Sequence, residues 1–225
     1  NMLGSDGKPR LSPGRPEWFD KWQCLKNFTT VFAEQDITIV ADGIDDDVWE
    51  QLTTQYPSLD LQRTKFGHNA GSFLYSLEQA VNLPDDSMVY FVEDDYVHHE
   101  GADLILEQGL MIAPYATLYD HPNKYWDPEV KKPCLLLKSE SCHWRTTPST
   151  TMTFGARVGY LKADKVEFYR WSNGEDNWTH DTQLFEKISS TRGLISPVPG
   201  YSTHCDQWVV DSLIDWQDVL TRTTE

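Results

Sequence analysis

Apolar positions in the first half of the chain alternate between helical and strand-like spacing. The spacing predicts helices at residues 16–33, 45–56 and 100–111, a helix that residues 67–73 lead into and that ends near residue 82, and strands at 37–43, 59–64 and 87–95. This alternation is typical of a mainly parallel sheet with helices on both faces. Residues 89–92 are apolar throughout, which predicts a central strand buried on both faces.

The second half of the chain keeps both kinds of element but loses the regular order. Strands are predicted at residues 116–120, 150–158 and 194–198, and helices at 162–171 and 180–191. A loop-rich stretch separates the first two of these strands. No repeat, low-complexity tract or linker interrupts the sequence. The pattern therefore predicts one mixed α/β domain over residues 1–225.

Charge limits the partners that such a domain can bind. The 225 residues include 35 acidic and 19 basic side chains, which give a formal charge of −16. Nucleic acids and anionic membranes repel such a surface, so a phosphorylated ligand would need a bridging cation. No apolar run reaches 18 residues, and we expect no membrane span. The four cysteines lack zinc-site spacing and are expected to be free thiols in the reducing cytoplasm.

Three adjacent acids, Glu93, Asp94 and Asp95, directly follow the apolar residues 89–92. Ligands of open α/β sheets bind beyond the carboxyl ends of the strands. Adjacent carboxylates repel one another there unless a cation neutralises them, and oxygen ligands combined with a diphosphate and water suit Mg²⁺ or Mn²⁺. A solvated acidic turn is the alternative interpretation, which we favour for residues 45–47. The position after an apolar strand favours a metal site for the triplet.

Several segments around this triplet resemble the GT-A glycosyltransferases, and among them a group of small bacterial and large-DNA-virus enzymes. The segments lie between about Ile37 and His204 and have the sequences ITIVADG, FGHNAGSFLYSLEQA, VYFVEDDYVH, TLYDHPNKY, STTMTFGARV and PGYSTHCD. The resemblance implies a Rossmann-like GT-A fold with a mixed, mainly parallel sheet. Its first half, about residues 1–112, would bind the nucleotide, and residues 113–225 would face the acceptor.

The resemblance also implies a reaction. The enzyme would move a sugar from a nucleotide diphosphate-sugar, in the first place a UDP-sugar, to a hydroxyl of a carbohydrate or glycan acceptor, with Mn²⁺ or Mg²⁺ as cofactor. An enzyme of viral origin would act in the host cytoplasm, and a longer polypeptide with further domains is compatible with the sequence.

The metal ligands follow from the same resemblance. It implies that Asp95 makes the main contact with the metal and that His204 supplies a ligand from a late position. Asp94 would help to hold the metal, or would contact the ribose or a metal-bound water. His98 and His99 follow the triplet and are expected on the outer face of the domain.

Candidate donor-binding residues lie before the triplet. Asp42 ends the first strand, where the family's acid faces the nucleotide, and the turn with Gly67, Asn69 and Ser72 resembles the helix start that passes beside the donor. Four basic residues are placed to meet a phosphate or a nucleobase, namely Lys8, Arg10, Lys65 and Arg145. For each of the four alone, a solvated surface position is the alternative.

Transfer with inversion of configuration needs a general base that takes the proton of the acceptor hydroxyl. Residues 180–185 resemble the family's E-D-x-x-L motif at a helix start, which implies Asp181 as this base and leaves Asp176 as the second candidate. His180 departs from the motif, because the family has an acid there. A plain helix-capping aspartate would give the same pattern. Glu93 is expected to cap or orient its neighbours.

Aromatic residues are abundant, with 9 Trp, 10 Tyr and 9 Phe. Rings in loops present flat surfaces that can stack on sugars. The candidates outside the predicted helices are Tyr119, Trp126, Trp144 and Trp178. For any one of them alone, a core position is the alternative.

Other functions remain open. Residues 3–13 partly match the Gly-rich loop of sugar-phosphate nucleotidyltransferases, which have a related fold and use Mg²⁺, although only a stub such as Met2 and Leu3 precedes this loop. A non-catalytic carbohydrate-binding module would explain the tryptophans, but it needs neither an acidic triplet nor a separate acid on a helix. A metal-dependent phosphatase or nuclease usually needs more scattered ligands, and a charge of −16 repels polyanions.

Overall fold

The computed structural model describes residues 14–33, 35–128, 131–173, 176–206, 209–211 and 213–224. Within them lie the helices α1 (Lys21–Val31), α2 (Asp46–Gln55), α3 (Asn69–Ala80), α4 (Ala102–Ile112), α5 (Asn123–Trp126), α6 (Val158–Ser172), α7 (Asp181–Thr191) and α8 (Trp216–Thr224). The strands are β1 (Thr38–Asp42), β2 (Asp60–Thr64), β3 (Met88–Phe91), β4 (Tyr96–His98), β5 (Tyr115–Ala116), β6 (Leu136–Lys138), β7 (His143–Thr146), β8 (Phe154–Arg157), β9 (Leu194–Pro197) and β10 (Ser202–His204).

The described strands form one six-stranded sheet and two two-stranded sheets. The large sheet has the order β3-β8-β5-β9-β7-β6. Among its described pairings only β5 with β9 is parallel, and the other four are antiparallel. β1 pairs in parallel with β2, and β10 pairs antiparallel with β4. The predicted mixed α/β character is confirmed, whereas a mainly parallel sheet is not found among these strands.

The departure from a parallel sheet comes from the second half of the chain. β8 lies between β3 and β5 and runs opposite to both. β6 and β7 form a hairpin within a stretch predicted as loop, with Leu137 opposite Trp144. A parallel pair needs a crossover of a dozen or more residues, and only residues 139–142 connect these two strands.

The position of β3 also differs from its prediction. In the described pairings it lies at one end of the six-stranded sheet instead of at the centre. Its apolar residues contact other rings: the ring of Phe91 is stacked on Phe154 with centroids 5.0 Å apart, and lies 5.5 Å from Phe73. An apolar run therefore indicates contacts on the faces of a strand, and it does not show that both edges are paired.

Helices cover both faces of the large sheet, as the sequence predicts. On one face, Phe154 of β8 belongs to a core with Phe168 of α6 and Phe185 of α7. The next residue, Gly155, points to the opposite face, because side chains alternate along a strand. A Cβ atom there would lie 2.7 Å from Cδ1 of Leu106 in α4, so glycine lets this side chain pack directly against the strand.

A separate cluster of buried apolar residues lies next to the acidic triplet. It joins Cys24 of α1, Val97 of β4, and Trp216 and Val219 of α8, together with Cys205 directly after β10. β10 and α8 follow the last predicted strand and were not predicted. All four cysteines are free thiols, as predicted. None of the helices in the described part of the chain has both the length and the apolar character needed to cross a bilayer.

Candidate active site

The acidic triplet lies in the connection between β3 and β4. β3 ends at Phe91, Asp94 and Asp95 form a turn, and β4 begins at Tyr96. The antiparallel pairing of β4 with β10 places Tyr96 opposite His204. As a result, His204 Nε2 lies 3.0 Å from Asp95 Oδ2, although 109 residues separate the two along the chain. The fold therefore brings together two of the three predicted metal ligands.

Asp95 is a buried carboxylate with one oxygen paired and one bare. Oδ2 accepts a hydrogen bond from Arg15 Nη2 at 2.7 Å and also contacts His204. Oδ1 is buried and has no hydrogen-bond partner among the described residues. Burial raises the pKa of Asp95, but the hydrogen bonds and charges of His204 and Arg15 outweigh burial and lower it overall. An ionised carboxylate with a bare buried oxygen is suited to bind a cation.

His204 lies beside this carboxylate with its ring stacked on Tyr96, at a centroid distance of 5.1 Å and an interplanar angle of 19°. Burial lowers the pKa of His204, but the hydrogen bond and charge of Asp95 raise it overall. A histidine binds metal through a neutral ring nitrogen, so metal binding here would release a proton.

The residues present fit a divalent cation that takes part of its ligands from a substrate. Among the described residues, no group of three or more His, Cys, Asp or Glu side chains is arranged to hold a metal ion. Asp95 and His204 would leave the other positions to diphosphate oxygens and water, as Mg²⁺ prefers. Asp94, the third predicted ligand, has a side chain that is 70% exposed and pairs with Lys21 Nζ at 2.5 Å.

Two further carboxyl groups, one of them in the triplet, have raised pKa values. Burial, followed by the charge of Asp95, raises the pKa of Glu93 to about 7, and the charge of Asp181 acts in the same direction. Burial also raises the pKa of Asp181. The charge of Asp181 thus acts on Glu93, which links the start of α7 electrostatically to the triplet. We call Glu93, Asp95, Asp181 and His204 the acid site.

The start of α7 positions Asp181. His180 is the N-cap residue, and Asp181 is the first residue of the helix, where its Oδ1 accepts from the Thr182 N–H at 2.6 Å. The preceding loop contacts the start of α3, because Asn69 Nδ2 donates to Thr179 Oγ1 at 3.3 Å. The predicted base and a predicted donor-binding residue are thus on neighbouring segments.

Asp176, the second candidate base, has a different environment. Its Oδ2 lies 2.9 Å from His180 Nε2, and Oδ1 accepts from the Trp178 N–H at 3.2 Å. Its side chain is about half exposed. The histidine that departs from the family motif is therefore the partner of Asp176.

Asp42 stabilises a turn of its own chain. Its Oδ1 accepts from Thr64 Oγ1 at 2.8 Å and from the Phe66 N–H at 2.6 Å, and its Oδ2 accepts from the Gly67 N–H at 2.8 Å. Gly67 has φ +72°, a conformation that favours glycine. Both oxygens hold the turn before α3, and the predicted contact of Asp42 with a nucleotide stays a prediction.

The other predicted donor-binding residues have different environments. Ser72 Oγ donates to the Asn69 carbonyl at 3.1 Å within α3, and Lys65 is exposed. Arg145 is buried, and its Nε donates to Asp120 Oδ1 at 2.9 Å, so its predicted role with a phosphate is replaced by a structural ion pair. Lys8 and Arg10, like the glycine-rich segment around them, lie outside the described residues.

Two of the predicted sugar-stacking rings belong to the core. Trp144 is fully buried against α4, where a Cβ on Gly109 would lie 2.5 Å from its ring, and its Nε1 donates to Ser139 Oγ. Tyr119 is also buried, and its hydroxyl donates to the Val209 carbonyl at 2.7 Å. Neither ring presents a face for stacking. Trp178 keeps this possibility, since it is 38% exposed.

The prediction for His98 is wrong. This residue is fully buried rather than on the outer face, and its Nε2 lies 3.0 Å from the Tyr90 hydroxyl. Burial lowers the pKa of His98 to about 3. The histidine therefore packs in the core as a neutral side chain.

Sequence reasoning missed a buried lysine near the acid site. Lys124 Nζ donates to Ser149 Oγ at 2.7 Å. Burial, followed by the charge of Arg145, lowers the pKa of Lys124 to about 8, while the charge of Asp181 acts in the opposite direction. The sequence carried no signal for this burial, because a lysine in a predicted loop is expected to be exposed.

No known family model matches this chain, and no curated protein matches it either. The case for a function therefore depends on the residues of the acid site.

Proposed function

We propose that this protein is a metal-dependent glycosyltransferase of the GT-A type. It would move a sugar from a nucleotide diphosphate-sugar, with a UDP-sugar as the first candidate, to a hydroxyl of a carbohydrate or glycan acceptor. The observation that carries this proposal is the pair of Asp95 and His204, with one bare carboxylate oxygen, at the turn between β3 and β4. An acidic turn that was only solvated would expose its carboxylates, whereas Asp95 is buried.

Asp95 and His204 would hold Mn²⁺ or Mg²⁺, and Asp94 would reach the donor from the surface. When bound, the cation would neutralise negative charge that develops on the departing diphosphate. The formal charge of −16 makes such a bridge necessary, because the protein otherwise repels the donor. The mixed sheet with helices on both faces is compatible with the GT-A fold, which is part of the proposal.

Asp181 would act as the general base. As the acceptor oxygen bonds to the anomeric carbon, its proton passes to Asp181, and the bond from that carbon to the diphosphate oxygen breaks with the electron pair leaving on the diphosphate. The raised pKa of Asp181 supports this role, because a base works best when its pKa approaches the working pH. This direct displacement gives an inverted product.

The test is a calorimetric titration of UDP with and without Mn²⁺, followed by a screen of nucleotide-sugars for turnover. We expect UDP binding that depends on Mn²⁺ in the unchanged protein and is lost in Asp95→Asn. Turnover should fall by about 10²–10³-fold or more, the scale for losing one main electrostatic contact. Asp218→Asn, which removes an exposed acid paired with Arg222, is the control and should behave as the unchanged protein.

Two results would contradict the proposal. UDP binding of equal strength with and without Mn²⁺ would remove the role of the metal. Sugar binding indifferent to metal, with no turnover of any nucleotide-sugar, would favour the carbohydrate-binding module.

A further inference from the structure

Two basic side chains from the N-terminal part of the described chain pair with two acids of the triplet. Arg15 lies before α1, and its Nη2 is 2.7 Å from Asp95 Oδ2. Lys21 is the first residue of α1, and its Nζ is 2.5 Å from Asp94 Oδ2. Both acids that would face a metal and its diphosphate therefore already have a cation supplied by the protein.

Arg15 is held in place by more than this ion pair. Its Nη1 donates to the Cys205 carbonyl at 2.7 Å, and its guanidinium lies 4.8 Å from the ring centroid of Phe19. The Cys205 N–H in turn donates to the Asp95 carbonyl at 2.8 Å. Arg15 thus contacts both segments that meet at the acid site, the turn before β4 and the residue after β10.

The contact is nevertheless open to solvent on one side. The side chain of Arg15 is 41% exposed, although that of Asp95 is only 12% exposed. The Arg15 side chain can move away from Asp95 at a small cost in free energy, because water solvates the freed guanidinium. The bare Oδ1 of Asp95 shows that the arginine does not saturate the carboxylate.

Binding of a divalent cation and binding of the guanidinium to the carboxylate of Asp95 oppose each other. Two positive charges within a few ångströms of each other repel strongly in a partly buried site. The bare Oδ1 lies on the side of the carboxylate away from His204, because His204 approaches Oδ2, the oxygen that Arg15 also contacts. A metal that Asp95 and His204 hold jointly would therefore have to reach Oδ2, where Arg15 now binds.

We propose that Arg15 is an internal counter-cation of the acid site, which must leave Asp95 before a divalent cation binds. Metal binding then opens the segment of residues 14–20, and docking of this segment weakens the affinity for metal by the same factor, since linkage is reciprocal. The contact keeps Asp95 paired when no metal is present. This inference rests on the proposed metal site at Asp95.

The experiment measures Mn²⁺ affinity from the electron paramagnetic resonance signal of free Mn²⁺, without any donor or turnover. Removing the competing guanidinium in Arg15→Gln should tighten Mn²⁺ binding by at least about fivefold, the lower end of ordinary coupling between two ligands. Arg222→Gln removes the same charge from an exposed ion pair on α8 and should leave the affinity unchanged. Asp95→Asn should abolish Mn²⁺ binding when it is combined with Arg15→Gln and also when it is combined with Arg222→Gln.

A second measurement follows the segment itself. The Phe19 N–H donates to the Pro16 carbonyl at 2.9 Å, so its hydrogen exchange reports the docked state. Mn²⁺ should speed exchange in residues 17–20 of the unchanged protein and should have no effect in Asp95→Asn. Equal thermal unfolding midpoints of the unchanged protein and Arg15→Gln would show that both are folded.

The outcomes separate this inference from the proposed function. Equal or weaker Mn²⁺ binding by Arg15→Gln overturns the inference and leaves the metal site standing. UDP binding that needs no Mn²⁺ and is lost in Arg15→Gln also overturns it, because Arg15 would then hold the diphosphate in place of a metal. Absence of Mn²⁺ binding in both proteins, also when UDP is added, overturns the inference together with the metal site.

Discussion

Asp95 and Asp120 are both buried aspartates paired with an arginine, yet their surroundings differ. Both oxygens of Asp120 are used: Oδ1 accepts from Arg145, whose Nε lies at 2.9 Å, and Oδ2 accepts from the Tyr125 hydroxyl. Arg145 is itself buried. Asp95 instead keeps one bare oxygen and pairs with the partly exposed Arg15.

The difference indicates two uses of a buried charge. A complete pair with both partners buried ties its segments together, and loss of one partner leaves a charge without compensation. An incomplete pair costs the fold some stability but leaves a position at which a ligand can bind. Residues at functional sites commonly break the rule that buried polar groups are satisfied.

The largest expected effect is in the acid site and concerns activity. Asp181→Asn keeps the shape of the side chain but cannot accept the acceptor's proton, so transfer should fall by about 10²–10⁴-fold, the usual contribution of a general base. UDP binding should stay near normal. Single-turnover kinetics with the best nucleotide-sugar from the screen measure both quantities.

Asp176→Asn provides the matched comparison for this variant. It removes the same charge from the second candidate base, which is about half exposed, and it should reduce transfer only slightly. The reverse result, with transfer lost in Asp176→Asn and kept in Asp181→Asn, would assign the base to Asp176.

The next effect concerns stability and tests the complete pair. Arg145→Met leaves Asp120 as a buried unpaired charge, so the free energy of unfolding should fall by about 3–5 kcal/mol. Arg15→Met breaks a pair whose arginine is partly exposed and should cost less than about 1 kcal/mol. Urea unfolding measures both changes. Equal losses in the two variants would remove the distinction between complete and incomplete pairs.

The smallest expected effect is a pH dependence from Glu93. Its pKa is raised from the ordinary 4.5 to about 7, so between these values the folded state binds more protons than the unfolded state. Stability is therefore expected to fall as pH rises through this window. Glu93→Gln cannot ionise and should be more stable than the unchanged protein by about 2–3 kcal/mol at pH 8, with little difference near pH 5.

Urea unfolding at several pH values measures this dependence, and Mn²⁺ sharpens it. A cation at the acid site would compensate the ionised Glu93 and restore stability to the unchanged protein at pH 8. If the free energy of unfolding of Glu93→Gln and of the unchanged protein changed with pH in the same way, ionisation of Glu93 would not be what destabilises the folded protein.

Elements with a strong local pattern were predictable from the sequence. The strand predicted at residues 37–43 is β1 (Thr38–Asp42), and the helix predicted at 45–56 is α2 (Asp46–Gln55). The hairpin of β6 and β7 was not predictable, because Leu136 is exposed and the pairing depends on neighbours brought in by the fold. Since this hairpin was missed, Trp144 was expected in a loop and is in fact a core residue of β7.

The candidate site shows the same limit. The resemblance to a family indicated that Asp95 and His204 belong together, and the structure places them 3.0 Å apart. The contact of Arg15 with Asp95 and the burial of Lys124 had no signal of their own, because side-chain neighbours depend on how distant segments meet. Local spacing carries no information on such contacts.

The pairing of β4 with β10 also has a consequence for biosynthesis. Asp95 leaves the ribosome 109 residues ahead of His204, its partner across these strands. During that interval a nascent chain has the acidic turn without the histidine that completes the acid site, so the turn alone has no second protein ligand with which to retain a cation. Maturation of the site thus waits until β10 has been translated, after β1 to β9 have had time to fold.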